Sequence, residues 1–261
     1  MTASQPALSG IQRYYQEITR LQQKAVEDQL ETLAEIAEAM SQVIAQEKRI
    51  FLFGTGHSHM LAEEAYFRAG GIAAAVPLFV PQVLMLHESA LMSSRLERMP
   101  ELARPVLDEY DPQPGEILFV FADSGSNALP VQVAIEAGAR GLTTVGVCSL
   151  KYARTAPLSA AGKKLYEVTD YVLDNGGVPG DALVQVEGLP WRVAASSTIV
   201  GATLWNCLLS GAVSHLAGEA AGLAVFASYN MPGASEHNQR VLAKWSRINP
   251  HLPARSLKTG G

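Results

Sequence analysis

Five short apolar runs, residues 50–53, 73–79, 117–122, 143–148 and 171–174, alternate with helix-patterned stretches at 60–69, 84–97, 129–139 and 198–218. That alternation leaves few architectures open. Strands that are apolar on both faces need cover on both faces, which parallel sheets obtain from the helices that connect their strands. The expectation is an α/β fold: a doubly wound, parallel, five-stranded sheet forming an αβα sandwich. In such a sheet, ligands collect where loops leave the C-terminal ends of the strands.

The region before the first strand reads differently. From Leu8 to Glu47 there is no proline, and Ile11, Tyr15, Ile18, Leu21, Leu33, Ile36, Met40 and Ile44 recur at helical spacing. One long helix or a helical hairpin broken near Asp28-Gln29 fits this pattern. Residues 1–47 are therefore expected as a helical arm that covers the sheet or packs on a second subunit, 48–248 as the α/β domain, and 249–261 as a flexible tail. Residues 100–115, with prolines at 100, 105, 112 and 114, and residues 175–190 are expected as long loops.

Composition narrows the function classes. With 48% hydrophobic residues over 261 positions, the chain can bury a full core. Lys plus Arg number 20 against 25 for Asp plus Glu, a formal net charge of −5 without a block of like charge. This argues against nucleic-acid or anionic-membrane partners, which call for concentrated positive charge. Cys148 and Cys207 each lie in an apolar stretch, as reduced core cysteines do. The polar N-terminal residues lack a signal-peptide pattern, so a cytoplasmic protein is expected.

Two turns stand out within this frame. Gly54-Thr55-Gly56-His57-Ser58-His59 follows the first strand, and Asp123-Ser124-Gly125-Ser126-Asn127 follows the third. Each leads from a strand into a helix, where free N–H groups and the helix dipole attract phosphate. The first turn lacks the third glycine of a dinucleotide fingerprint and the Gly-Lys-Ser/Thr of a nucleoside triphosphate loop. A compact phosphoester held by Thr55, Gly56, His57, Ser58, Ser124, Gly125, Ser126 and Asn127 is the remaining reading. The plainer alternative is that Ser126 or Asn127 only caps the following helix.

These turns resemble those of the sugar isomerase, or SIS, domain family. Gly54, Gly56 and Ser58 match the family's Gly-x-Gly-x-Ser, and Ala122-Asp123-Ser124-Gly125-Ser126-Asn127 approximates its Ser-x-Ser-Gly-x-Thr. Ala122 stands in place of a serine, Asn127 in place of a threonine, and Asp123 adds a negative charge beside the expected anion. The stretches GTGHSHMLAEEAYFRAGG, LMLHESA, SGSN, GDAL and SYNMPGASEHN are similar to a bacterial branch of phosphosugar-binding proteins in that family.

The resemblance implies the SIS fold, a phosphorylated sugar as ligand, and a homodimer or higher homo-oligomer with its site at the subunit interface. It also implies a glutamate base on the helix after the first turn, matched best by Glu64 beside Glu63, and a late histidine, matched by His237. Glu236 and Glu88 are further substrate-binding candidates, and Glu88 is an alternative base. Either His57 or His59 could face the ligand. A metal site built from these histidines is the weaker alternative, so no metal and no cofactor are expected. His215 reads as a core or interface residue. The functional expectation is an aldose/ketose isomerase acting by glutamate-mediated proton abstraction. An amino-sugar-phosphate lyase or etherase and a non-catalytic sugar-phosphate sensor are the alternatives.

Overall fold

The computed structural model describes residues 5–80, 89–158, 160–216 and 218–253. The N-terminal region is a helical hairpin, α1 (Gln5–Glu27) and α2 (Leu30–Ala45), broken where the sequence suggested. Then follow β1 (Ile50–Gly54), α3 (His59–Glu64), β2 (Ala75–Pro77), α4 (Ala90–Leu96), α5 (Ala103–Tyr110), β3 (Ile117–Phe121), α6 (Ala128–Ala139), β4 (Thr143–Cys148), α7 (Leu150–Thr155) and β5 (Tyr171–Asp174). After these come β6 (Ala182–Val184), β7 (Val193–Ala195), α8 (Ser197–His215), α9 (Glu219–Gly222) and α10 (Ala234–Trp245).

The five long-range strands pair in parallel in the order β2-β1-β3-β4-β5. This is the expected αβα sandwich. From β1 the chain crosses outward to β2 and then returns to β3 on the other side of β1. The crevice at which a doubly wound sheet reverses direction thus opens between β1 and β3. The register pairs Gly54 with Phe121, so the turns after these two strands emerge side by side.

Successive strand residues alternate between two cores. Ile50, Leu52, Ile117 and Phe119 pack toward α1, α2, α3, α8 and α10, while Phe51, Phe53, Leu118 and Val120 pack toward α5, α6 and α7. All eight are essentially inaccessible to water. Burying each such side chain contributes about 1.5–3 kcal/mol before entropy is counted. Ile18, Leu21 and Ala25 of α1 belong to the first of these cores, so the arm closes the face of the sheet.

Four expectations need correction. Residues 100–115 are not an open loop: a 3₁₀ turn at Pro100–Leu102 leads into α5. Pro100 and Pro105 fall in the first turns of these helices, where a missing N–H costs no hydrogen bond. The 175–190 connection contains β6, which pairs antiparallel with β7. The C-terminal segment is anchored as far as Leu252, because the Asn249 amide donates to Ala73 O and Ala75 O at 2.9 and 2.8 Å and so satisfies carbonyls along the β2 edge. Cys207, expected in the core, is exposed on α8, as is His215, for which a core or an interface place was expected. Among the described residues no helix is long and apolar enough to cross a membrane.

Candidate functional site

The base of the crevice is built by close backbone approach. A Cβ at Gly54 would lie 2.5 Å from Ser58 O, so only glycine lets β1 fold back tightly into the first turn. Gly125 has φ +55° and its Cβ would meet Ala153 Cβ at 3.0 Å, so the second turn is likewise specified by its glycine. Between the turns lies a cavity of about 260 Å³, lined by Thr55, His57, Ser58, Ala122, Asp123, Ser124 and Asn127. Its remaining wall comes from elsewhere: Glu97 after α4, Tyr152 of α7, Gly180 and Asp181 before β6, and Ser197 at the start of α8. Ser124, Asn127 and Tyr152 also line an adjoining cavity of about 440 Å³ with Arg98 and Ser126.

The helix-cap alternative for these side chains does not hold. Asn127 is the N-cap residue of α6 and Ser58 that of α3, yet neither side chain caps its helix. Two other expected anchors are already engaged. Thr55 Oγ1 donates to Glu97 Oε2 at 2.9 Å, and the Ser126 hydroxyl donates to Pro157 O. Ser126 in turn accepts a bond of 3.3 Å from Nζ of Lys164, a buried cation that also donates to Pro157 O at 3.0 Å. Ser58, Ser124 and Asn127 are thus the side chains best placed to meet a ligand.

The turn histidines divide as the sequence allowed. His57 is exposed and lines the cavity, whereas His59 is buried, with Nε2 2.9 Å from Glu63 Oε1 and its ring edge-on to Phe79. Glu64 points away from the cavity: it pairs with Arg68 and lines a separate groove on the α1, α2 and α8 face. The His237 ring sits on α10, Nε2 2.8 Å from Val225 O, and neighbouring Glu236 is exposed. Within one chain neither Glu64, His237 nor Glu236 joins the two-turn cavity. Glu88 lies outside the described residues. Among the described residues no three His, Cys, Asp or Glu side chains are arranged to hold a metal ion.

Asp123 is the electrostatic oddity. Asn175 Nδ2 donates to its Oδ1 at 2.8 Å, while Oδ2 is buried without a partner among the described residues. Burial pushes this carboxyl up from 3.8 to about 6; the Asn175 bond opposes the shift, and Asp181 and Asp174 add to it. Asp181, by contrast, accepts four hydrogen bonds from Ser196 and Ser197, two from backbone N–H groups at 2.9 and 2.7 Å and two from hydroxyls at 3.0 and 2.7 Å. Glu97, Tyr152 and Lys164 escaped the sequence reading, and Asp181 entered it only within the GDAL stretch of the 175–190 connection. They come from helix ends and loops whose convergence no periodicity encodes.

A doubly wound sheet with serine-bearing turns at its switch point defines the class. The SIS-domain family model matches residues 13–149, and the chain belongs to that family. A UPF0309 protein of Geobacillus thermodenitrificans is 37% identical over 243 residues, covering 93% of this chain and 97% of the relative. Another from Brucella ovis is 35% identical over 224 residues, 86% of this chain and 90% of the relative. Among solved structures, phosphoheptose isomerase from Neisseria gonorrhoeae superposes with a TM-score of 0.53 at 16% identity, covering 80% of this chain and 99% of that one. The phosphoheptose isomerase of Francisella tularensis gives 0.51 at 14%, covering 81% and 98%. At these identities the likeness is one of fold.

Proposed function

We propose that this protein binds a phosphorylated sugar in the cavity between the β1 and β3 turns and acts on it as an aldose/ketose isomerase. The observation that carries the reading is the meeting of two hydroxyl-bearing turns at the switch point, with the Ser58 and Asn127 side chains not spent on capping. Support comes also from SIS-family membership and from the phosphoheptose isomerases that share the fold. Arg98 and Lys164 lie on the side of the adjoining cavity, which favours phosphate there and the sugar hydroxyls among the carboxylates of the smaller cavity. Glu64 remains the proposed base and His237 its partner. Both would act in an assembly of at least two copies, since the groove that holds Glu64 lies on a face open to a second subunit.

One observation favours a second reading, binding without turnover: within a single chain the two-turn cavity contains neither proposed catalytic side chain. A thermal-shift panel of sugar phosphates and their unphosphorylated counterparts tests the ligand class, and NMR of each hit in heavy water tests the chemistry. Deuterium entering the substrate at the carbon beside the carbonyl, with binding retained and exchange lost in Glu64→Gln, is the expected result. Tight binding with neither exchange nor product would leave the sensor reading.

A further inference from the structure

The cavity between the turns carries carboxylates beside the wall it shares with the cavity proposed for the phosphate. Glu97, Asp123 and Asp181 line it, and among the described residues that line it there is no Lys or Arg, while His57 is the histidine among them. A phosphorylated ligand entering here, or placing its phosphate against the shared wall of Ser124, Asn127 and Tyr152, comes close to these carboxylates. Like charges at such range in a partly dry site raise the affinity of one of them for a proton.

The hydrogen bonding identifies which one. Asp181 holds four donors on its carboxylate. Glu97 accepts the Thr55 hydroxyl and has the Arg98 guanidinium 3.6 Å away. Asp123 has one neutral amide donor on Oδ1 and, among the described residues, none on Oδ2, and it is walled in by Asn175 and Gly177 from the loop after β5, with Asp174 and Asp181 as its charged neighbours. We propose that Asp123 makes ligand binding proton-linked: as the anionic ligand enters, Asp123 takes a proton from solvent on Oδ2, and the site thereby selects for charge according to pH. The proposal rests on the phosphosugar reading of the cavity. Burial already holds the free carboxyl at about 6, so a modest further push from a bound anion brings the protonated form into the neutral range.

The test is calorimetry of the best phosphosugar from the panel, at pH 7, in buffers of different ionisation enthalpy, with wild type, Asp123→Asn and His57→Asn. Wild type and His57→Asn are expected to take up a substantial fraction of one proton per site and Asp123→Asn almost none. From pH 6 to pH 8 the wild-type affinity should fall about tenfold while Asp123→Asn changes far less, the proton released at Asp123 accounting for the slope. In wild type labelled with ¹³C at aspartate carboxyls, one resonance should move toward its protonated position on saturation, a readout that does not depend on the variant folding. Binding with no proton taken up, equal uptake in Asp123→Asn, or uptake lost in His57→Asn overturns this inference and leaves the phosphosugar reading intact. No binding by any phosphosugar at any pH overturns the phosphosugar reading, and this inference falls with it.

Discussion

Asp123 carries a stability consequence that needs no ligand. Its folded-state carboxyl is raised from 3.8 to about 6, so the native state binds this proton more tightly than the unfolded chain does. The favourable contribution of the protonated group is complete below about pH 4 and is lost as the pH climbs through about 6. A shift of this size corresponds to at most about 3 kcal/mol. Urea unfolding at pH 8 should therefore find Asp123→Asn more stable than wild type by about 1–3 kcal/mol, and the gap should shrink toward zero at pH 4; equal stability at both pH values would contradict the burial argument. Gly125 gives the opposite case. Alanine there must adopt a left-handed φ and press on Ala153, so Gly125→Ala should lose about 1–3 kcal/mol by the same assay. At this scale the sequence was informative about glycines and hydroxyls, because turn geometry is local. It could not show the partners of Thr55 and Ser126, whose hydroxyl protons go to Glu97 and Pro157, 42 and 31 residues away.

Between elements, the site depends on how the strand ends and helix starts are held. At the far end of the sheet Arg49 and Glu116 form a two-pronged pair, 2.6 Å from Nε to Oε1 and 2.9 Å from Nη2 to Oε2, across the starts of β1 and β3. Glu116 is buried and also accepts the Gln113 amide at 2.6 Å, so the pair fixes the register that sets the two turns side by side. Glu116→Ala would leave the half-buried Arg49 guanidinium only the Tyr110 and Asp111 carbonyls as acceptors and should cost about 3 kcal/mol in chemical denaturation. At the ligand end Asp181 does for α8 what its N-cap Ser196 does not, since the Ser196 side chain makes no cap bond. The strands and α2, α6 and α8 were legible from sequence because their apolar periods are long and uninterrupted. The helix at 103–110 was not, because proline was read as a loop signal where it opens a helix. Nor was β6, whose pairing with β7 is a contact across a loop.

Over the whole molecule, one hollow is far larger than the proposed ligand cavity. It is a groove of about 1010 Å³ between α1, α2, α3 and α8, with Leu33, Ala34, Ala37, Met60, Ala202 and Cys207 along its wall and Glu64 at one end. Small residues at Ala34, Ala37 and Ala202 leave room for another helix to come close, and elsewhere on α1 Leu8, Ile11 and Tyr15 are exposed. An apolar hollow of this size on a chain of net charge −5 is costly to leave wet, and the proposed assembly of two or more copies would cover it. The amphipathic pattern of the first 45 residues was readable as a stripe needing a partner, but which part of it the sheet would satisfy was not. Ile18, Leu21 and Ala25 turn inward while Ile11 and Tyr15 stay exposed. Cys207 offers the sharpest check. The Cys148 thiol is pushed up to about 12, chiefly by burial and then by Asp174 and Asp123, so it is inert toward thiol reagents in the native state. Cys207 is the thiol a reagent can reach in a single chain. If a second copy occupies the groove, light scattering should give at least twice the 27.9 kDa chain mass and Cys207 should react slowly. Ala202→Arg, which fills the groove with a charge, should lower the mass to that of one chain and make Cys207 react fast. A wild-type monomer with a rapidly modified Cys207 would remove the assembly from the proposal and, with it, the route by which Glu64 could reach a ligand.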